Sequence, residues 1–473
     1  MPEETRDVVD LASAQSFPSS DPPPWTLGVE SARLERDSLG EIPVPAGVLY
    51  GAQTQRAVEN FPIGGARLQP PFIKALGLIK ACAGRTNAEL GTLPNELASR
   101  VAKASDEIAA GSYFDQFVVD VFQTGSGTST NMNANEVIGT LTGAHPNDHV
   151  NRSQSSNDVI PSAIHLAAVL ELRDRLLPAM ESLQRSLHAK SDEFQDVIKI
   201  GRTHLQDATP MRLGQEFGAF AQQVNASRGR VTQAMEGLYE LPLGGTAIGT
   251  GINAPAGFAA RTIELLAQRS GVPFREAANH FEAQSARDAV LFLSGALKTY
   301  AVSLIKIAND IRWLASGPRA GIGEIRLRAL QPGSSIMPGK VNPVIPESVL
   351  MVCAQVIGYD AAITFACASG NFQLNTMMPL LAYDVLEAIN LLANATRNFA
   401  DRCVSGIEAV REKAAAAVEQ SLAMATPLAL EIGYDRAAAI AHEAFLTGES
   451  IRNVAIRTSG LSEARIAELL RIR

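Results

Sequence analysis

The sequence predicts a mainly α-helical protein built around a central bundle of long helices. Three observations lead there. Segments 161–200, 210–241 and 285–315 each run 30 residues or more with apolar side chains at helical spacing. Thirty residues at ~1.5 Å rise make a helix of ~45 Å, which needs partners of similar length to cover it. The chain is 46% hydrophobic but only 5% aromatic, so its core is expected to be Ala, Leu, Ile and Val, slim enough for close helix packing.

The 473 residues amount to about three domains at ~150 residues each. Residues 1–28 are rich in Ser, Pro and Asp and read as a flexible, acidic tail, with no apolar stretch of the kind a signal peptide carries. From Ser31, Gly40, Pro43, Pro45 and Gly47 break the chain into turns and short strands, and helical periodicity follows at 72–90 and 94–110. Residues 29–150 are therefore expected as an N-terminal domain.

Residues 151–408 form the expected central bundle. Pro161 and Pro210 are placed at helix first turns, where a missing N–H is harmless. In 285–315, Val290, Leu293, Leu297, Leu304, Ile305, Ala308 and Ile311 trace a stripe that Ser316-Gly317-Pro318 stops. Segments 343–368 and 377–404 add two more long helices. The 289–311 segment is apolar nearly all round, which predicts burial on several sides and points to a homo-oligomer. Shorter helices separated by Gly433 and Gly460 make a small C-terminal domain, 409–473.

Composition also excludes partners. A net charge of -8, from 41 Lys and Arg against 49 Asp and Glu, argues against nucleic acid. No uncharged apolar run approaches the ~18 residues of a membrane span. Cys82, Cys353, Cys367 and Cys403 lie far apart and form no CxxC pair, consistent with a reducing, cytoplasmic setting.

Chemistry concentrates in three polar islands between the helices. The first runs from Gln123 to Asn135, followed by His145-Pro-Asn-Asp-His149 and Ser153-Gln-Ser-Ser-Asn-Asp158; the second is Gly201-Arg-Thr-His-Leu-Gln-Asp207; the third is Gly333-Ser-Ser-Ile-Met-Pro-Gly-Lys-Val-Asn-Pro343. The third suits an anion. Gly333 and Gly339 free the backbone to turn its N–H groups toward a charge, Lys340 adds a cation and Asn342 an amide. Pro343 fits the first turn of a helix whose N-terminus would face the site. A phosphate-binding P-loop fails here, because five residues separate the glycines and Val341 stands where Ser or Thr should hold Mg²⁺. Gly249-Thr-Gly251-Ile-Asn-Ala254 imitates a dinucleotide fingerprint, but no strand precedes it. His145 and His149 are four apart, yet Pro146-Asn147 between them disfavours a helical metal pair. No metal or cofactor is expected.

At the third island the chain resembles the fumarase/aspartase superfamily, whose signature reads GSSIMPGKVNP, and family-like stretches extend from Gly51–Asn60 to Glu431–Asp435. Within it the resemblance is to class II fumarases: His204 in Gly201-Arg-Thr-His204 and His145 in His145-Pro-Asn-Asp148 replace residues typical of aspartases. Val344-Ile-Pro-Glu347 looks more aspartase-like and keeps an aspartate ammonia-lyase as the alternative.

The resemblance implies a three-domain, mostly helical fold whose long helices form a tetrameric core, with each active site drawing its islands from three subunits. It implies reversible, metal-free hydration of fumarate to L-malate, a reaction of the tricarboxylic acid cycle. Ser334 is then the base, and a loop-capping hydroxyl is its plainer reading. His204 is the acid partner, paired with Glu347, which otherwise is a first-turn carboxylate facing the helix dipole. The dicarboxylate would be held by Ser126, Gly127, Thr128, Ser155, Ser156, Asn157, Thr203, Ser335, Lys340, Val341 and Asn342. His145, Pro146, Asn147 and Asp148 resemble a second, non-catalytic anion site.

Overall fold

The computed structural model describes residues 32–471; the expected tail, 1–28, and the first residues of the N-terminal domain lie outside them. A hairpin opens the described chain, β1 (Ala32–Asp37) against β2 (Gly40–Pro45), in register from Ala32↔Pro45 to Asp37↔Gly40. Helices α1 (Ala52–Asn60), α2 (Pro70–Glu89), α3 (Asn95–Ala110) and α4 (Thr128–Thr142) follow. Proline at the start of α2 costs no hydrogen bond. Gly77 of α2 lies so close to α3 that a Cβ there would sit 2.7 Å from the Ala109 nitrogen, so only glycine permits this approach.

Next come α5 (Ser156–Glu171), a π-turn at Leu172–Leu176 and α6 (Leu177–Glu193). A second hairpin, β3 (Ile198–Thr203) and β4 (Gln206–Arg212), leads into α7 (Leu213–Glu236). The sequence reading differs here in two places. The helix expected to reach residue 200 ends at Glu193, and Pro210 lies in a strand instead of a helix first turn. Valine and isoleucine at 197, 198 and 200 favour a strand, and Gly201 lets it close on its neighbour: a Cβ there would lie 2.8 Å from the Thr209 carbonyl. Pro161 also lies further into its helix than expected, because α5 begins at Ser156.

Then follow α8 (Phe258–Ser270), α9 (His280–Ser285), α10 (Asp288–Leu314), α11 (Val344–Cys367) and α12 (Met378–Asn398). Five shorter helices end the chain: α13 (Arg411–Gln420), α14 (Thr426–Ile432), α15 (Tyr434–Thr447), α16 (Ile451–Thr458) and α17 (Glu463–Leu469). Their core is Val418, Leu428, Ile440, Val454 and Ile466, joined by Ile200 of β3. Gly433 and Gly460 take φ of 84° and 72° at the breaks where the sequence placed them.

The described fold is predominantly helical, as expected, and its strands are short and paired two by two. It comprises two compact units, each discontinuous in sequence. One gathers the chain up to residue 163 with 242–284 and 371–379; the other gathers 164–241, 285–370 and 380–473. In the second unit α10 packs along α11 and α7, burying Val290, Leu293, Leu297, Leu304, Ala308 and Ile311 of the expected stripe, while Ile305 is half-buried.

By length and composition α10 and α11 could each cross a membrane, although no uncharged run suggested it. One charged pair joins them: Asp360 of α11 accepts from Lys298 Nζ at 2.5 Å and Ser294 Oγ at 2.7 Å. What they leave exposed is large and apolar, including Phe292 at 57%, Met351 at 69% and Phe365 at 76%.

Candidate active site

The first island is assembled within the first unit, at two helix N-termini. Gly127 precedes α4 at φ 74°, and a Cβ there would meet Ile160 of α5 at 2.9 Å, so this glycine lets the two helix starts close together. The Ser126 and Thr128 hydroxyls share one hydrogen bond of 2.8 Å, which leaves one hydroxyl proton for a ligand. Across the gap, Asn131 Nδ2 donates to Ser156 Oγ at 3.0 Å. That engages a lone pair of Ser156 and turns its proton outward as a donor. Ser155 Oγ accepts from Asn157 N at 3.3 Å, and Asn157 Nδ2 donates to the Ala247 carbonyl at 2.7 Å. Hydroxyls and N–H groups at two helix N-termini, beside the positive ends of their dipoles, suit a carboxylate.

The second island is the tip of the β3–β4 hairpin. Thr203 pairs with Gln206, and His204 and Leu205 between them both take positive φ, 55° and 60°. A two-residue turn of this hand matches the twist of the strands but normally calls on Gly or Asn, so the tip stores strain that the hairpin base must hold. The base is charged and buried. Glu324, 1% exposed, takes both guanidinium nitrogens of Arg202 at 3.2 and 2.7 Å, and Lys199 bridges Glu324 at 3.4 Å and Glu216 at 3.1 Å. His204 is presented to solvent at the tip of this hairpin.

The third island is a closed loop at the head of α11. Gly333 N donates to the Lys340 carbonyl at 2.8 Å, and Asn342 Nδ2 donates to the Gly333 carbonyl at 2.7 Å. A Cβ on Gly333 would lie 2.6 Å from the Lys340 oxygen, so the closure needs glycine. Ser334 Oγ accepts from Met337 N at 2.9 Å and Ile336 N at 3.2 Å. This is the geometry of a loop-capping hydroxyl, and donors that cap an oxygen also favour its anion. Ser335, Lys340 and Val341 are exposed, and Glu347 stands in the first turn of α11.

The second and third islands belong to the second unit, the first island to the other. Among the described residues of one chain, no hydrogen bond or ion pair joins Ser334, His204 and Glu347. His145 caps a π-turn that runs through Pro146, Asn147 and Asp148 on the first unit, and His145, Pro146 and Asn147 line a cleft of about 740 Å³ with Gly51, Gln53 and Glu136. His145 Nδ1 accepts from Asp148 N at 3.1 Å, and His149 Nδ1 accepts from His145 N at 2.9 Å, so each ring gives one nitrogen to backbone rather than to an ion.

Sequence reasoning passed over several polar residues around these islands: Lys80, Asn131, Asn151, Arg202 and Glu324. Lys80 left a signal, a cation in the otherwise apolar helix stretch from Ala75 to Ala83. Glu324 left none, since its partners are more than a hundred residues away.

Comparison with known proteins places this architecture. Residues 40–358 match the lyase family and residues 424–473 match the family described as fumarase C C-terminus. A fumarate hydratase class II of Thermosynechococcus vestitus is 49% identical over 452 residues, covering 93% of this chain and 97% of the relative. One of Mycobacterium tuberculosis is 51% identical over 430 residues, covering 90% and 91%. Among solved structures, a class II fumarase of Schistosoma mansoni superposes with a TM-score of 0.90 at 38% identity, covering 93% of this chain and 98% of that one. A fumarate lyase:delta crystallin structure of Brucella melitensis, bound to cobalt, gives 0.89 at 47% identity with the same coverage.

A long-helix fold with polar islands at helix heads therefore defines a lyase of the fumarase/aspartase type. Within that class the chain belongs to the class II fumarate hydratase family, enzymes of the hydro-lyase kind.

Proposed function

We propose that the protein catalyses the reversible, stereospecific hydration of fumarate to L-malate, with Ser334 as base and His204, charged and oriented by Glu347, as acid partner. The reading rests chiefly on Ser334, whose oxygen already accepts two backbone N–H groups inside a glycine loop that carries Lys340. Those donors and the α11 N-terminus favour the alkoxide that a base at C3 of malate requires. Removing that proton builds charge on the adjacent carboxylate, where Lys340 and Asn342 would stabilise it most in the transition state. Ser126, Gly127, Thr128, Ser155, Ser156, Asn157, Thr203, Ser335 and Val341 would hold the two ends of the dicarboxylate. His145, Pro146, Asn147 and Asp148 would form a separate, non-catalytic anion site.

Four copies would assemble through the exposed apolar faces of α10 and α11, and each site would take its islands from three subunits. The three-part division at residues 150 and 408 describes these functional regions, and the cytoplasm and the tricarboxylic acid cycle are the proposed setting. Purified, EDTA-treated protein should lower the conjugated ultraviolet absorbance of fumarate toward its equilibrium with malate. Activity only on adding metal would overturn the mechanism. Turnover of L-aspartate exceeding that of L-malate would establish the ammonia-lyase that Val344–Glu347 suggests.

A further inference from the structure

We propose that Lys80 and Asp158, a buried pair of opposite charge, are positioning residues that set the Ser155–Asn157 donors for the substrate. The inference rests on the reading of that triplet as substrate-binding. Both side chains are fully buried in the first unit.

Two branches leave the pair and reach the triplet from opposite sides. Lys80 Nζ donates to Asn151 Oδ1 at 3.0 Å, and the same oxygen accepts from Asn131 and Asn135, each at 3.2 Å. Asn131, fixed this way, donates to Ser156 Oγ. Asp158 Oδ1 accepts from Ser155 N at 2.9 Å, and its Oδ2 accepts from Gly244 N and Thr246 N, both at 2.9 Å. This carboxylate ties the head of α5 to the 244–247 turn, whose Ala247 carbonyl holds the Asn157 amide at 2.7 Å.

The turn is built for that grip. Gly244 takes φ 96° where a Cβ would lie 2.3 Å from that of Ala259, and Thr246 is held at φ 53°. Gln284 Nε2 donates to its Thr246 carbonyl at 2.7 Å, and the glycine run that imitated a dinucleotide motif folds back on it, Gly249 N and Gly251 N both donating to Gly245 O. That run is accounted for as a brace behind the substrate donors.

Each charge favours the ionised form of the other. Burial raises the Asp158 carboxyl, against three backbone donors and the Lys80 charge. Burial likewise pulls Lys80 down to about 7, opposed by Asp158. Removing one partner leaves the other charge buried without it, so single substitutions would report on folding. A double variant, Lys80→Met with Asp158→Asn, removes both charges, and Asn131→Ala cuts one branch while leaving both in place.

The test measures fumarate hydration and thermal unfolding for wild type, Asn131→Ala, the double variant and Ser156→Ala. Positioning predicts that Asn131→Ala and the double variant raise KM by ~10-fold with kcat within ~3-fold, the mark of lost ground-state and transition-state binding alike. It also predicts that Lys80→Met alone unfolds at a lower temperature than the double variant. Wild-type KM in Asn131→Ala, with KM raised in Ser156→Ala, would overturn the positioning role. Wild-type KM in Ser156→Ala would instead overturn the substrate-binding reading of the triplet.

Discussion

A serine hydroxyl ionises far above neutral pH, so its use as a base depends on what surrounds the oxygen. At Ser334 two backbone N–H groups point at Oγ before any substrate arrives. Ser334→Ala should lower kcat by ~100-fold or more, the scale of a positioned acid–base group, and His204→Asn should do the same. His145→Asn, on the separate π-turn, should change turnover little in the same assay. Full activity in Ser334→Ala would refute the base assignment. A different histidine governs stability. His165 is buried in the second unit, and burial, helped by the Arg287 charge and opposed by its bond to the Glu240 carbonyl, pushes it down to about 3. The unfolded chain, with an ordinary value near ~6.5, takes up this proton first as pH falls. The stability from neutral His165 is therefore complete above ~6.5 and drains away as pH drops toward 3, with a slope approaching ~1.4 kcal/mol per pH unit. Urea titrations between pH 7.5 and 4 should show a shallower decline in His165→Gln than in wild type.

Among the elements, the β3–β4 hairpin joins a strained tip to a charged, buried base. Positive φ at His204 and Leu205 persists because Arg202, Lys199, Glu216 and Glu324 lock the strands below. Arg202→Ala should cost roughly 3 kcal/mol in urea unfolding, because it leaves Glu324 buried with only Lys199 to answer it. Activity should fall further than stability explains, since His204 loses its support; unchanged kcat would show that the tip needs no clamp. This hairpin also marks where the sequence stopped being readable. The helices at 70–89, 95–110, 288–314 and 344–367 are written in apolar spacing and in punctuation such as Pro70, Gly433 and Gly460, which act locally. Residues 198–212 are too short for periodicity to separate strand from helix, and Lys199 and Arg202 share a buried partner, Glu324, more than a hundred residues along the chain. For the site, Gly333–Pro343 and Ser155–Asn157 could be read from residue type and spacing. The proposed Lys80–Asp158 support of Ser155–Asn157 could be read only at its Lys80 end, because the partners of the pair, Asn151 and Gly244, lie far along the chain.

At the scale of the whole molecule, one chain leaves two problems that further copies would solve together. Phe292, Met351 and Phe365 expose apolar surface on α10 and α11, and at ~25 cal/mol per Å² burying such a face is a strong drive to associate. Ser334 and His204, meanwhile, make no hydrogen bond to each other within one chain. If α10 and α11 pack against their counterparts, Phe365→Glu should shift the protein from tetramer toward smaller species in sedimentation and remove activity without touching an island. If the islands then meet across subunits, two inactive variants should repair one another. Co-expressed Ser334→Ala and His204→Asn chains, purified as mixed oligomers through different tags, would place an intact Ser334 and an intact His204 in the same site wherever the two contributing subunits differ suitably. Random assembly from equal amounts gives roughly one quarter of sites that arrangement, so activity should recover to about a quarter of wild type from under about one hundredth for either variant alone. Were both residues supplied by a single chain, every site would lack one of them, and the mixture would stay as inactive as its parts.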